Sequence, residues 1–370
     1  MHPGSPSPSQ AKPKYEICLI GSGGVGTIAS LVLTKSSLAR VTVVLRSKYA
    51  YVAQHGWEID SVDHGKIPGW RPYRVVRSAE EAATRGKDGI EDNDDGNDNG
   101  ESGKVEYDYV VVATKALPSL NPPVEMISPV VTPGKTAIVL IQNGIGIEDD
   151  IVKTWPGNAV LSSVSHIGSS VREPNLVVQV GKDVSKIGAH LHFGVADSVS
   201  IERAQTFVAM YSAGGAHECE FAADIDAARW EKLLWNGTFN PVCALLRMDV
   251  GELQRSKARE TMLVPMMWEI WNVANAAIRG KGPGQGGQQG LPESIVRWMA
   301  YRLPDDCAYR PSMLLDLENG RAMEIDVILG NALRRARGLK VDTPVLEVVH
   351  NLLRVEEWRV NQEKKTLERA

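Results

Sequence analysis

Three features of the sequence predict an α/β chain with a helical second half. Near-continuous Val/Ile runs alternate with helix-length segments between Tyr15 and about Gly146, the pattern of a parallel sheet covered on both faces. A glycine-rich turn, "IGSGGVG", stands directly after the first of these runs. From about Asp224 onward, apolar residues recur at intervals of three and four, as amphipathic helices require. The predicted class is a Rossmann-type doubly wound sheet over residues 15–222, followed by an all-helical C-terminal domain over residues 223–362.

Taken in order, residues 1–14 ("MHPGSPSPSQAKPK") have no apolar core and no Arg-rich amphipathic pattern, so a disordered tail is expected. "YEICLI" is the first expected strand and "TIASLVLTKS" the helix after it. "VTVVLR", "YDYVVVATK" (107–115) and "KTAIVLIQNG" (135–144) follow as strands. Residues 85–104, acidic and rich in Gly and Asn, have nothing to bury and are expected as a mobile surface insertion. They lack the glycine and terminal glutamate of an EF-hand register, which disfavours a calcium loop. "LVVQVG" and "KIGAHLHFG" alternate in polarity like antiparallel strands finishing the sheet. His190 and His192 would share a face there. With no third ligand evident, they are read as surface or packing histidines rather than a metal pair. Beyond Asp224 come "DIDAARWEKLLWNGTFNPVCALL", "ARETMLVPMMWEIWNVANAAI", "PESIVRWMAYRL", "SMLLDLENGRAMEIDVILGNALRRARG" and "TPVLEVVHNLLRVEEWRVNQEKK" as helices, with residues 280–290 as a flexible loop.

Composition narrows the function. The chain has 370 residues, 43% of them hydrophobic and 23% charged, and a net charge of −4. That balance carries no electrostatic footprint for nucleic acid and no basic block for a membrane surface. No apolar run reaches the length needed to cross a bilayer. Cys18, Cys219, Cys243 and Cys307 are far apart and form no C-x-x-C pair, which fits a reduced protein without structural zinc. A cytosolic enzyme is the expectation, and its oligomeric state, single chain or homodimer, is not encoded in any recognisable pattern.

The turn from Gly21 through Ser22, Gly23, Gly24 and Val25 to Gly26 has the G-x-G-x-x-G spacing. Gly21 permits the tight turn, Gly23 lets the backbone approach a pyrophosphate, and Gly26 lets helix and strand pack closely. The helix N-terminus then offers unpaired N–H groups to the phosphates. An NAD site usually ends its second strand with an acid for the ribose hydroxyls. Here the strand ends with Arg46, 20 residues after Gly26 and followed by Lys48. A cation there suits a 2′-phosphate and so favours NADP(H). Lys115, after a later strand, either reinforces that phosphate or is a surface lysine.

In "RWEKLLWNGTFNP", Lys232, Asn236 and Asn240 recur every four residues and would form one helical stripe. Pro241 follows at once and is expected to kink the helix. On the residues alone, the stripe is either a solvated face or one wall of a polar site. If it faces a nicotinamide, Lys232 can protonate the oxygen of a ketone that accepts hydride. "PSMLLDLENGRAMEID" adds Ser312, expected to cap a helix, and Glu324, which spacing alone does not select from Asp316, Glu318 or Asp326.

Together these segments resemble the ketopantoate reductase (2-dehydropantoate 2-reductase) family across nearly the whole chain. Its K-x-x-x-N-x-x-x-N-P element is matched by Lys232, Asn236, Asn240 and Pro241. Its S-M-L-x-D…E-I-D element is matched by Ser312, Met313, Leu314, Asp316 and Glu324. Its N-G-x-G turn runs from Asn143 to Gly146. The resemblance implies NADPH-dependent reduction of ketopantoate to (R)-pantoate on the way to pantothenate. It implies that Lys232 is the proton donor, that Asn236, Asn240, Ser312 and Asn143 hold the substrate, and that Glu324 assists where substrate meets the nicotinamide ribose. It implies cofactor contacts for Arg46, Lys115 and Asn143. Two positions depart from the family: Tyr309 and Val250 stand where asparagines are common. They motivate an alternative, a D-2-hydroxyacid dehydrogenase for a bulkier branched or aromatic keto acid. A non-catalytic NADP(H) sensor is a third reading, disfavoured by the intact Lys–Asn–Ser–Glu set.

Overall fold

The structure, a computed structural model, describes residues 14–84, 103–280 and 290–367. The expected tail and the two expected loops therefore fall almost entirely outside the described residues.

Twelve strands lie among the described residues of the first half: β1 Tyr15–Ile20, β2 Ala39–Val44, β3 Trp57–Ser61, β4 Gly65–Trp70, β5 Arg74–Val76, β6 Tyr109–Val112, β7 Ala137–Leu140, β8 Val160–Ser165, β9 Ser169–Arg172, β10 Leu176–Gln179, β11 Val184–His190 and β12 Glu218–Phe221. Eight of them form one sheet in the order β12-β11-β8-β7-β6-β1-β2-β5. From β5 across to β8 every pair is parallel. β11 joins β8 antiparallel and carries β12 at the edge. Chain order runs outward from β1 in one direction and from β6 in the other. The carboxyl ends of β1 and β6 therefore flank a topological switch point, where ligands of such sheets bind.

The alternation of side chains along each strand divides the core. Ile17, Leu19, Val41, Val43, Val111 and Val139 point toward one face, packed with the helices Gly24–Lys35 and Asp197–Ala213. Cys18, Ile20, Val110, Val112, Ile138 and Leu140 point the other way, into a core that runs without a break into Leu233, Phe239, Met266, Ile270 and Leu314 of the helical half. Successive strand residues must face opposite sides, so near-continuous apolar runs are what a sheet covered on both faces needs.

One expectation is corrected. "LVVQ" does not finish the main sheet: β10 lies in a separate four-stranded sheet, order β4-β3-β10-β9, paired parallel to β3 and antiparallel to β9. Polarity alternation reports how many faces of a strand are buried, not which strand lies beside it. "KIGAHLH" does join the main sheet, as β11. The small sheet packs on the first helix: a Cβ at Gly24 would meet the Ser169 carbonyl carbon at 2.6 Å.

From Ile225 the described chain is helical, including Ile225–Asn236, Phe239–Leu246, Val264–Arg279, Ser312–Glu318 and Pro344–Leu367. No helix among the described residues is long and apolar enough to cross a membrane.

Candidate active site

The glycine turn follows β1 and opens the helix Gly24–Lys35. Gly21 has φ +100°, and a Cβ there would lie 2.4 Å from the Thr114 amide nitrogen. Any side chain is excluded by both the conformation and the close approach. A Cβ at Gly26 would lie 1.9 Å from the Gly21 carbonyl oxygen, so this glycine sets the strand-to-helix distance. At Gly23 a Cβ would meet nothing within 4 Å. Gly23 is the helix N-cap, and the first helical turn carries no acidic side chain. Ser22 and Thr27 exchange a hydroxyl hydrogen bond at 3.0 Å beside it, and Val25 completes the turn. Open space above bare helix amides is the cradle a pyrophosphate requires, so the residues present fit a dinucleotide.

Arg46 stands just past β2, and its guanidinium donates to Asn121 Oδ1 at 3.0 Å. Lys48 pairs instead with Glu173 at 2.7 Å. Lys115 follows β6 at the switch point, but its ammonium reaches across to Asp316 in the helix Ser312–Glu318. Asp316 also takes Arg321 at 3.1 Å. The Lys115 charge is thus paired with the helical half.

The stripe faces inward. Asn236 is 7% exposed and Asn240 3%. Lys232 donates to Asn143 Oδ1 at 2.8 Å and to the Ser165 carbonyl at 2.5 Å. Two of its three N–H groups are therefore used, and the third is left to meet a ligand. Asn236 Nδ2 donates to the same Asn143 oxygen at 3.4 Å, and Asn240 Nδ2 donates to Asn236 Oδ1 at 3.3 Å. Asn143 Nδ2 in turn donates to Glu324 Oε2 at 3.1 Å, and the Ala116 amide donates to Glu324 Oε1 at 2.8 Å. One polar chain thus joins Asn240, Asn236, Lys232, Asn143 and Glu324 across the junction of the two halves. Burial pushes the Lys232 ammonium down to about 8; the nearby Arg229 charge adds to this and Glu324 opposes it. Burial likewise raises the Glu324 carboxyl, against the bonds from Ala116 and Asn143.

Two sequence expectations are corrected here. The stripe is not one helix: Ile225–Asn236 ends before Gly237 and Thr238, and Asn240 belongs to the next helix, Phe239–Leu246. Pro241 lies in the first turn of that second helix, where its missing N–H has no partner to lose. The break therefore precedes the proline. Ser312 is not a cap either; Pro311 holds that position, and Ser312 is the first helical residue, exposed. Its neighbour Met313 brings the helix start to Asn240, whose Oδ1 accepts from the Met313 amide at 3.5 Å. Ser312 therefore stands at the end of the stripe.

Arg229 was not singled out from the sequence. Its buried guanidinium donates to the carbonyls of Gln142 (3.1 Å) and Gly144 (2.8 Å), and its Nε to Ser162 Oγ (2.9 Å). Gly144, at φ +93°, lies so close to Val327 that a Cβ would approach its carbonyl oxygen to 2.5 Å. Arg229 and the π-helical turn Asp326–Gly330 thus hold the Asn-Gly turn from two sides and aim Asn143 at Lys232. Its only signal in the sequence is its place one turn before Lys232.

The two departures from the family pattern meet: the Val250 amide donates to the Tyr309 carbonyl at 3.0 Å, and the Tyr309 ring lies 6.4 Å from that of Trp235. His190 is buried, bonded to Ser162 Oγ at 2.7 Å and paired with Asp226 at 3.0 Å. His192 lies past the strand end, against the Asn158 carbonyl. The two histidines share no site; Glu148 and Asp226, not His192, gather within 4.8 Å of His190.

Comparison with known proteins agrees with this geometry. The family model described as ketopantoate reductase PanE/ApbA matches residues 17–192, and the model of its C-terminal part matches residues 224–357. An uncharacterized protein of Saccharomyces cerevisiae is 33% identical over 94% of this chain and 95% of its own length. The crystal structure of 2-dehydropantoate 2-reductase from Methylococcus capsulatus superposes with a TM-score of 0.74 at 30% identity, over 93% of this chain and 97% of that one. A D-mandelate dehydrogenase determined with NADH and anilino(oxo)acetate shares the fold, with a TM-score of 0.73 at 20% identity over 94% and 99% of the two chains. The chain belongs to the ketopantoate reductase family and is a nicotinamide-dependent oxidoreductase acting on CH–OH groups.

Proposed function

We propose that the protein reduces a small 2-keto acid with NADPH, that ketopantoate yielding (R)-pantoate is its leading substrate, and that Lys232 is the proton donor. The observation that carries this is the Lys232 ammonium itself, fixed by Asn143 and Ser165 with one N–H unspent and burial holding its pKa at about 8. NADPH supplies the hydride that arrives at the keto carbon. The carbonyl oxygen gains negative charge as that bond forms, and Lys232 Nζ delivers a proton to it, leaving a neutral amine that solvent reprotonates. A donor of pKa near 8 is still mostly protonated at pH 7 and releases its proton more readily than an exposed lysine. Asn236, Asn240 and Ser312 bind the rest of the substrate, and Glu324 orients Asn143. The glycine turn from Gly21 to Gly26 holds the pyrophosphate. Arg46 selects NADPH by its charge at the end of β2. Lys115 contacts the cofactor from the carboxyl end of β6, and its pair with Asp316 ties the cofactor half to the helix bearing Ser312.

A second reading, a D-2-hydroxyacid dehydrogenase for a bulkier branched or aromatic keto acid, is favoured by one observation. Tyr309 and Val250, bonded to each other, replace the smaller polar pair common in the family and add an aromatic wall beside Trp235. Initial rates with ketopantoate and with a panel of branched and aromatic 2-keto acids separate the two. The first reading requires the highest kcat/KM for ketopantoate; a deficit of orders of magnitude transfers the assignment to the second. A chain that binds NADPH and reduces none of them is the sensor instead. A place in pantothenate biosynthesis, a cytosolic location and a homodimer belong to the first reading, and light scattering of the purified protein tests the last.

A further inference from the structure

A keto acid's carboxylate is bound more strongly by a cation than by neutral donors, and most of the cations near the stripe are already committed. Lys115 and Arg321 pair with Asp316. Lys186 pairs with Glu231 at 3.2 Å. Arg229 is buried on backbone carbonyls. Lys232 is fixed as the proton donor. His166, the residue after Ser165, is kept neutral, its imidazole pushed down to about 4 by burial and then by the charges of Lys232, Arg302 and Lys186.

Arg302 is the exception. It follows the helix Ser294–Tyr301, and its guanidinium carbon lies 4.7 Å from the Trp235 ring centre and 5.2 Å from that of Trp298. It has no hydrogen bond or ion pair with any described residue. Arg302 is exposed and lies on the site's side of the molecule. Its charge acts on His166, next to the Ser165 carbonyl that takes Lys232, and it is itself felt by Tyr309, which packs on Trp235, and by Glu231, which Lys186 pairs. Two indoles hold the guanidinium plane while leaving its N–H fork unused, the arrangement that presents paired donors to a carboxylate.

We propose that Arg302, held on Trp235 and Trp298, is the specificity residue that receives the carboxylate of the 2-keto acid at the edge of the cleft. The proposal rests on the keto-acid reading above and adds to it the group that makes the enzyme select acids over neutral ketones. Asn236, Asn240 and Ser312 then serve the remaining polar groups of the substrate.

The test compares a reducible 2-keto acid with its uncharged carboxamide in the wild type, Arg302→Met and Arg302→Lys. Met keeps the packing on the tryptophans and removes the fork. The expected result for Arg302→Met is a KM for the acid raised at least about 10-fold, with kcat and NADPH affinity changed less than about threefold and no change for the carboxamide. Arg302→Lys restores part of the loss. Equal losses for acid and carboxamide, or none for either, overturn the proposal. Calorimetric titration of the NADP⁺-saturated protein with oxamate, an unreactive keto-acid mimic, separates it from the reading beneath it. Oxamate binding that vanishes in Arg302→Met upholds the carboxylate site even if the keto acids tried are not turned over. Oxamate binding that is absent from the wild type or unchanged in the variant overturns it.

Discussion

The two halves of the site are made of different material. The cofactor half is a backbone device: between Gly21 and Gly26 the functional groups are main-chain amides, and the residue types matter because they lack a Cβ. The helical half is a side-chain device. Lys232, Asn236 and Asn240 form a connected polar group only because Asn143, 89 residues from Lys232 in sequence, is brought to them, and Glu324, 181 residues from Asn143, is brought to it. A backbone device is compact, and at Gly21, Gly24 and Gly26 it leaves no room for a Cβ. A side-chain device is dispersed, its members contributed by separate segments of the chain.

That difference orders the expected effects. Lys232→Ala should be the most damaging to chemistry, lowering kcat at least about 10²-fold while NADPH affinity persists; loss of cofactor binding in equal measure would merge the two halves. Gly21→Ala should do the opposite. It forces φ +100° on a residue with a Cβ and pushes that atom onto the Thr114 amide, a strain of about 1–2 kcal/mol from the conformation alone. NADPH affinity and Tm should both fall, and an unchanged dissociation constant would show that the turn does not carry the phosphates. Arg46→Ala should weaken NADPH more than NADH by about 1.5–3 kcal/mol, the scale of a charge-assisted contact; fluorescence titration with both cofactors reads the difference, and equal losses would place the 2′-phosphate elsewhere.

The gentlest probe is pH. In the proposed mechanism Lys232 is the acid of the reduction, so only its protonated form is competent. With its pKa held at about 8, kcat/KM for reduction should be level below that pH and fall about tenfold per unit above it. Oxidation of the hydroxy acid needs the neutral amine and should rise through the same point. A reduction profile level to pH 10 would show that the ammonium is not the donor.

Some of this was legible from the chain itself. The glycine turn, the Val/Ile strands and the change to helical periodicity are local signals, each complete within a dozen residues. Lys232, Asn236 and Asn240 were visible as a spacing, but whether they faced solvent was not, because a polar stripe reads the same in both settings. The helix break at Gly237–Thr238 was displaced onto Pro241, since a proline signals a kink without fixing which residue yields. β10 was assigned to the wrong sheet because pairing partners are non-local. The places of Arg229 and Arg302 are hidden in the sequence for the same reason: an arginine's role depends on which carbonyls or rings surround it.

The sequence by itself determined the glycine turn, the α/β-then-helical order and the spacing of Lys232, Asn236 and Asn240, because each is encoded by contiguous residues and by the period of apolar positions. Only the tertiary structure decided that Asn143 meets Lys232, that Glu324 rather than Asp316 or Asp326 joins the polar chain, and that Lys115 bridges to Asp316. Those choices follow from how two packed halves place side chains opposite one another, and the lowered pKa of Lys232 exists only once that packing has removed the water.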